Sequence, residues 1–433
     1  MSVFRVVVRN TLAQGFGKVI TLILGLGTTA MLTRMFGPRG YGEYTFIISF
    51  VLLFGTMADW GTQLIAVREA SQNKERRPVI FGSAILFRLL LAIAASIFLN
   101  AVIRLNASWG AFVFSVTTAS FILLALSLKT SAIIIFQTLL RFEKAALVEI
   151  FSSILFLALV ALAFIQGSNL SGVIIFWLIS TILASLLALL LATKTTHITW
   201  VLDKGVIRRV FWEAAPTGAL LLVSNLYNRV DIVILQHFQG EVAVGIYGLP
   251  YKIHDHLVMG AAFLMNSMFP LLSQKFSEGA KGHKSLVSYY QQTFDILLVS
   301  ATLLLIVVFL AAPLIVNILA GSAFSESGLA LRILVFGTFI AYFNHLTGYS
   351  IIAFGKQKSA LLIAAAALIF NVLGNWIFIP LYSFKAAAVI TIATEGLVLI
   401  FSTIVIYRTI GIIPRVHSFP KTVRSFFRGG IFK

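Results

Sequence analysis

The chain is an almost unbroken succession of apolar runs long enough to cross a bilayer, and this leaves few folds open to it. A helix rises about 1.5 Å per residue, so about 20 apolar residues span the hydrocarbon core. Runs of that length fall near 10–33, 42–66, 79–103, 109–138, 145–166, 170–193, 214–238, 242–272, 289–319, 327–354, 358–380 and 385–408. Hydrocarbon offers no water to satisfy backbone N–H and C=O groups, so segments of this length must be helical. The expected fold is an all-α polytopic membrane protein of about twelve transmembrane helices, with both termini on one side. A composition 59% hydrophobic and 11% charged excludes an ordinary soluble domain. The opening segment is basic, then apolar for a long stretch, without a short apolar run and small-residue cleavage site. It is expected to be a retained first span, not a signal peptide.

Net charge is +18, and the placement of the cations says what it is for. On the side holding the N-terminus lie Arg5, Arg9, Lys18, Arg68, Lys74, Arg76, Arg77, Lys129, Arg141, Lys144, Lys194, Lys204, Arg208 and Arg209. The second half adds Lys275, Lys281, Lys284, Lys356, Lys358, Arg408, Arg415, Lys421, Arg424, Arg428 and Lys433. Arg34, Arg39, Arg104 and Lys385 fall on the other side. This bias predicts cytoplasmic termini, and contact with anionic lipid absorbs most of the excess. No basic aromatic stripe on a polar domain supports nucleic acid as a partner. The absence of Cys excludes disulfides, thiolate metal sites and a Cys nucleophile.

Between Ala214 and Gln274, two spans carry Asn225, Asn228, Arg229, Asp231, Lys252, His254, Asp255 and His256. A charge at the bilayer centre costs roughly 2.5 to 3.5 kcal/mol on insertion scales, so these groups must face protein or a wet cavity. The expectation is a transporter with a charged central chamber. Around it, HITWVLDKGVIRRVFWEAA mixes Trp and aliphatics with Lys204, Arg208 and Arg209, as an interfacial amphipathic helix would. It divides the chain into an N-terminal lobe at 1–205, spans one to six, and a C-terminal lobe at 206–433, spans seven to twelve with a short basic tail. A weak echo follows the first span of each half, FGPRGYGEY against FQGEVAVGIY, as parallel repeats related along the membrane normal would show.

Several runs then carry a family resemblance: RMFGPRGYGEY, ADWGTQLIAVREAS, LYNRVDIVIL, VGIYGLPYKI, ALRILVFG, IIAFGKQKSALL and NVLGNWIFIPLYSFKAAAVITIATEG. In this order they resemble the Wzx-type polysaccharide flippases of the MOP transporter superfamily, over nearly the whole chain. The resemblance implies a flippase of the bacterial inner membrane, with no catalytic residues. Such proteins move an undecaprenyl-pyrophosphate-linked oligosaccharide from the cytoplasmic to the periplasmic face, by alternating access of two six-helix lobes. It implies the O-antigen, capsule or exopolysaccharide pathways, and a polysaccharide polymerase and chain-length regulator as partners. Multidrug exporters and lipid II flippases share the scaffold; the latter usually carry two further spans. A membrane-embedded enzyme would need a large outward loop rich in titratable groups, and the outward links here are short.

An anionic pyrophosphate and a hydroxyl-rich glycan call for cations and hydrogen-bond partners in the cavity. Arg88, Arg229, Lys252 and Arg332 are the cations inside spans, with Asn225 and Asn228 as hydrogen-bonding candidates. Each has a plain structural alternative. Arg88 has no acid within reach on its own helix, so it either faces the cavity, pairs with another helix or snorkels. Lys252 has Asp255 and His256 at i+3 and i+4, the spacing of an intrahelical pair. Arg332 lies near enough to a helix end to snorkel. Ser224, Asn225, Asn228 and Asp231 of span seven fall on one side and form a polar stripe, either lumen wall or interhelical glue. Asp59, Thr62 and Gln63, and Asn371 with Asn375, form weaker stripes. Asp231, Glu395 and Asp255 are the candidates for a coupling cation, proton or Na⁺; no other cofactor and no metal is expected, since His254 and His256 at i+2 do not converge. Pro216, Pro250, Pro270 and Pro313 interrupt helical hydrogen bonds, and a gate hinge is expected at Pro250. Asn106-Ala-Ser and Asn169-Leu-Ser match a glycosylation pattern that chance supplies.

Overall fold

The structure, a computed structural model, describes residues 3–416, and the side chains from residue 15 onward. The tail cations Lys421, Arg424, Arg428 and Lys433 lie outside the described residues, as do the side chains of Arg5 and Arg9. The described chain is almost entirely helical: α1 (Val3–Asp59), α2 (Thr62–Gln72), α3 (Arg77–Leu105), α4 (Val113–Thr138), α5 (Phe142–Gln166), α6 (Leu170–Thr193), α7 (Lys204–Tyr227), α8 (Val230–Ser277), α9 (Ala280–Ala320), α10 (Ser325–Ala353) and α11 (Gln357–Ile410). No strand occurs among the described residues, and nine helical stretches there, with α1–α2 and α7–α8 each taken as one, are long and apolar enough to cross a membrane. Non-helical residues break α1 at Gly37, α8 at Gly240 and α11 at Ser383, each within a link expected between two spans. Gly37 (φ 61°, ψ −171°) and Gly240 (φ 75°, ψ −171°) take nearly the same conformation at matching places in the sequence echo. Gly is the residue that adopts it without a steric cost.

Apolar side chains cover the outside as well as the core. Leu303, Ile306, Leu310, Leu314 and Ile318 are exposed along one face of α9, and Leu362, Ile369, Leu373 and Ile377 along α11. Stripes of this length have no place facing water and suit acyl chains. Small residues line the helix contacts inside, with Ala66, Ala70, Ala84, Ala132, Ala188 and Ala192 in one buried cluster.

The chain separates into two compact units, Met1–Arg229 and Val230–Lys433. In the first, α3 and α6 flank α4, α5 joins α1 to α6, and α7 packs on α1, α2 and α3. In the second, α10 is central, touching α8, α9 and α11. The division falls at the Asn228–Arg229 turn inside the expected seventh span, whereas the sequence put it at 205/206. The attachment of α7 to the first unit explains this. Phe211 stacks on Trp60 at 5.7 Å, Arg68 pairs with Glu213, and Asn225 donates to the Leu52 carbonyl at 3.0 Å and the Thr56 hydroxyl at 2.6 Å.

The expected interfacial helix begins only at Lys204. Residues 197–203 are an extended strap laid on α3: Thr199 N–H donates to Pro78 O, and Ser83 Oγ bonds both Val201 O and Asp203 N. The strap lies so close that a Cβ on Gly82 would sit 1.9 Å from Thr199 O. Asp203 then caps α7, accepting from Val206 N–H at 2.9 Å. The two Asn-X-Ser matches are explained likewise: Asn106 accepts from Ser108 N–H and Asn169 from Gly172 N–H, each at a helix start.

Two expectations follow. A Cβ at Gly218 would meet the Trp60 carbonyl at 2.7 Å, so Gly218→Leu forces α7 off α1. We expect a loss of about 1 to 3 kcal/mol, measured as earlier thermal unfolding of the purified protein. The Asp203 carboxyl is held below the usual carboxylate range by Val206 N–H, helped by the Arg76 guanidinium. Its contribution is present above the unfolded carboxylate pKa and fades as pH falls through the lowered one. Asp203→Asn, which still caps but does not titrate, should remove this acid-dependent part of the unfolding curve.

Candidate functional site

Helix breaks position the most polar cluster of the first unit. α1 ends at Asp59, and Trp60 (φ 48°) and Gly61 (φ 66°) take left-handed conformations before α2 begins at Thr62. This corner turns Asp59 and Thr62 toward one guanidinium. Arg88 of α3 is 2% exposed and pairs with Asp59 through Nη1, which also donates to Thr62 Oγ1 at 2.9 Å. Its Nε donates to Ser131 Oγ at 2.9 Å and its Nη2 to Thr130 Oγ1 at 2.8 Å. Beside it lies a cavity of 160 Å³ lined by Gly55, Asp59, Gln63, Arg88, Ser127 and Thr130 among others. Arg88 therefore pairs with an acid on another helix, one of its sequence alternatives, and also lines this small cavity within the first unit.

Span seven is not one stripe. The turn at Asn228–Arg229 leaves Asn225 on α7 bound to α1, Asn228 exposed in the turn, and Asp231 in the first turn of α8. A polar stripe requires an uninterrupted helix, and this one stops after Tyr227. Asp231 is buried, accepting from Ile232 N–H at 2.8 Å and from the Tyr247 hydroxyl at 2.7 Å. Tyr247 in turn lies 3.1 Å from Thr391 Oγ1. A carboxylate in a helix's first turn also meets the positive end of its dipole. Arg229 is half-buried in the turn and is not without a partner.

On α8, Lys252 is exposed and Asp255 and His256 are half-buried, and neither Lys252 nor Asp255 stands alone. His254 is buried and shares a hydrogen bond of 2.7 Å with Thr338. Among the described residues no group of three potential metal ligands converges. Glu395 is buried, and Asn344 Nδ2 donates to its carboxylate at 2.6 Å and to its backbone carbonyl at 2.9 Å. Nearby on α11, Asn375 donates to Asn371 and Asn371 to Thr394.

The prolines free specific carbonyls, and two of these find donors. Pro250 leaves Ile246 O without its i+4 partner, and Ser327 Oγ donates to it at 2.7 Å. Helical dihedrals continue through Pro250; the break of α8 is at Gly240. Pro313 leaves Phe309 O free, and Arg332 Nε donates to it at 3.1 Å while the guanidinium lies 5.5 Å from the Phe309 ring centre. Arg332 is thus occupied by a proline's consequence on the neighbouring helix, which neither cavity binding nor snorkelling anticipated.

Sequence reasoning missed other polar groups. Lys129, counted among the cytoplasmic cations, is buried within α4 and pairs with Glu149 of α5 at 3.1 Å. Asp295 is buried on α9, accepting from Gln291 at 2.9 Å. Both lie within apolar spans, and their intramembrane position was the available signal.

A family model described as "Polysaccharide biosynthesis protein" matches residues 7–276. The chain belongs to that family. A second model, "MatE", matches residues 216–377. Among solved structures, "Lipid II flippase MurJ, inward closed conformation" is similar with a TM-score of 0.75 and 15% identity, covering 97% of this chain and 91% of that one. An inward-facing multidrug resistance MATE transporter of the MOP superfamily gives 0.71 at 12% identity, covering 90% and 95%. The MATE multidrug transporter DinF-BH gives 0.68 at 16% identity, covering 95% and 98%. No curated protein sequence matches. This member of the polysaccharide biosynthesis family therefore has the fold of MOP-superfamily flippases and exporters.

The Arg332 assignment has a direct check. Arg332→Ala should cost about 1 kcal/mol in thermal unfolding, since a carbonyl loses its donor in an apolar setting. Pro313→Ala restores the N–H that Phe309 O lacks, so the double mutant should recover most of that loss. Additive costs in the double-mutant cycle would refute the pairing.

Proposed function

We propose that the protein flips an undecaprenyl-pyrophosphate-linked oligosaccharide from the cytoplasmic to the periplasmic face of a bacterial inner membrane, for surface polysaccharide assembly. The family match over residues 7–276 carries this reading. The chemistry of the polar groups supports it. Arg88, Arg229 and Lys252 offer positive charge to the pyrophosphate, with Asn225 and Asn228 as hydrogen-bond partners, while the prenyl tail stays in lipid. Arg332 drops from this set because its guanidinium serves Phe309. The two units alternate access, with Pro250 as a gate hinge and both termini cytoplasmic. Asp231, Glu395 or Asp255 binds the coupling proton or Na⁺, and polymerase and chain-length regulator receive the product.

Replacing Arg88, Arg229 and Lys252 singly by Ala, at equal protein level, should reduce surface glycan in the native host and leave lipid-linked precursor accessible only from inside. Undiminished glycan in all three variants would reject the assignment. The match of residues 216–377 to the MatE model favours a second reading, export of amphipathic cations. Under that reading the same cells would extrude lipophilic cationic dyes and show a normal glycan after deletion of the gene.

A further inference from the structure

Arg88 has committed all but one of its N–H groups, to Ser131, Asp59, Thr62 and Thr130. An anion that binds a guanidinium well takes two parallel N–H groups. No such pair is open unless an acceptor leaves. The three hydroxyls are each tied to a backbone carbonyl, Thr62 donating to Asp59 O, Thr130 to Leu126 O and Ser131 to Ser127 O. Asp59 differs. It ends its helix, its side chain is 32% exposed against 2% for Arg88, and its carboxylate repels an incoming anion.

We infer that Asp59 is the exchangeable counter-ion of Arg88: a phosphate or pyrophosphate group entering the adjoining cavity displaces its carboxylate and takes its place on the guanidinium. The cavity's 160 Å³ is the volume of about five waters, room for a phosphoryl group. Ser127 Oγ lines it, buried and without a hydrogen-bond partner, a donor for a phosphate oxygen. Among the described residues, Arg88 and Asp59 are the only ionisable side chains in the lining, so it is neutral with the pair closed and positive once Asp59 swings away. The exchange keeps the buried guanidinium paired throughout, avoiding the heavy cost of a lone buried charge. It also limits how tightly the headgroup is held, because the displaced carboxylate competes to return. This deepens the flippase reading and rests on it only for what the phosphate is attached to.

The test uses the full chain in lipid nanodiscs, with inorganic pyrophosphate as the probe and thermal unfolding and binding as readouts. Asp59→Asn should unfold earlier than wild type, bind pyrophosphate about tenfold tighter and regain its lost stability when pyrophosphate is added. Arg88→Gln and the double variant should show neither binding nor recovery. Asp59→Ser, which keeps a hydroxyl acceptor, should show the same gain if the Asn variant does not fold. Affinity unchanged in both Asp59 variants, or retained after Arg88→Gln, overturns the exchange. Failure of the exchange and failure of the flippase reading are separable. A gain in pyrophosphate affinity in a protein that exports no glycan leaves the exchange standing, and glycan export without that gain removes the exchange alone.

Discussion

Hydrocarbon supplies no hydrogen-bond partners, and most of what is specific in this protein follows from that lack. A charge inside a span has to be met by another part of the chain or by a wet cavity. The apolar sequence dictates helices, which satisfy their own backbones. What remains to be solved are the few places where a helix bends, stops or carries a charge. At those places the two units build their polar clusters.

Two solutions recur. One is to give a freed backbone carbonyl a side-chain donor from a neighbour, as Ser327 does at Ile246 and Arg332 at Phe309, each one turn before a proline. Gln239 does the same at the break of α11, donating to Ile379 O and Pro380 O. The other is to surround an ionised group with acceptors, as Asp59, Thr62, Thr130 and Ser131 surround Arg88. The first makes prolines and breaks inside spans tolerable and, at Arg332, spends a cation on structure. The second leaves a charge poised beside a cavity, where its partner can be exchanged. Arg88 and Arg332 look alike in sequence, each a lone arginine in an apolar span, yet they solve different problems.

The same logic gives the α6–α7 link its form. A strap of extended chain has backbone groups to satisfy, and Pro78 O and Ser83 supply partners on α3. Only glycine at position 82 lets the strap come that close. The corner at Trp60–Gly61 likewise serves two ends, seating α7 through Gly218 and turning Asp59 and Thr62 onto Arg88. Packing of α7 and composition of the cluster are therefore linked through one left-handed pair.

The amino-acid sequence by itself determined the class of fold, because spanning-length apolar runs admit only helices, and it located the links where Gly37, Gly240 and Ser383 break α1, α8 and α11. It also marked Arg88, Asp231 and Glu395 as groups needing an explanation. It did not give their partners, because helical periodicity describes the faces of one helix while Arg88–Asp59, Tyr247–Asp231 and Asn344–Glu395 join residues 29, 16 and 51 positions apart. Nor did it show that α7 packs with the first unit, or that Lys129 is buried against Glu149 of α5. Those outcomes were decided by tertiary packing, since which helix lies against which sets whether a polar group finds a donor, an acceptor or a cavity.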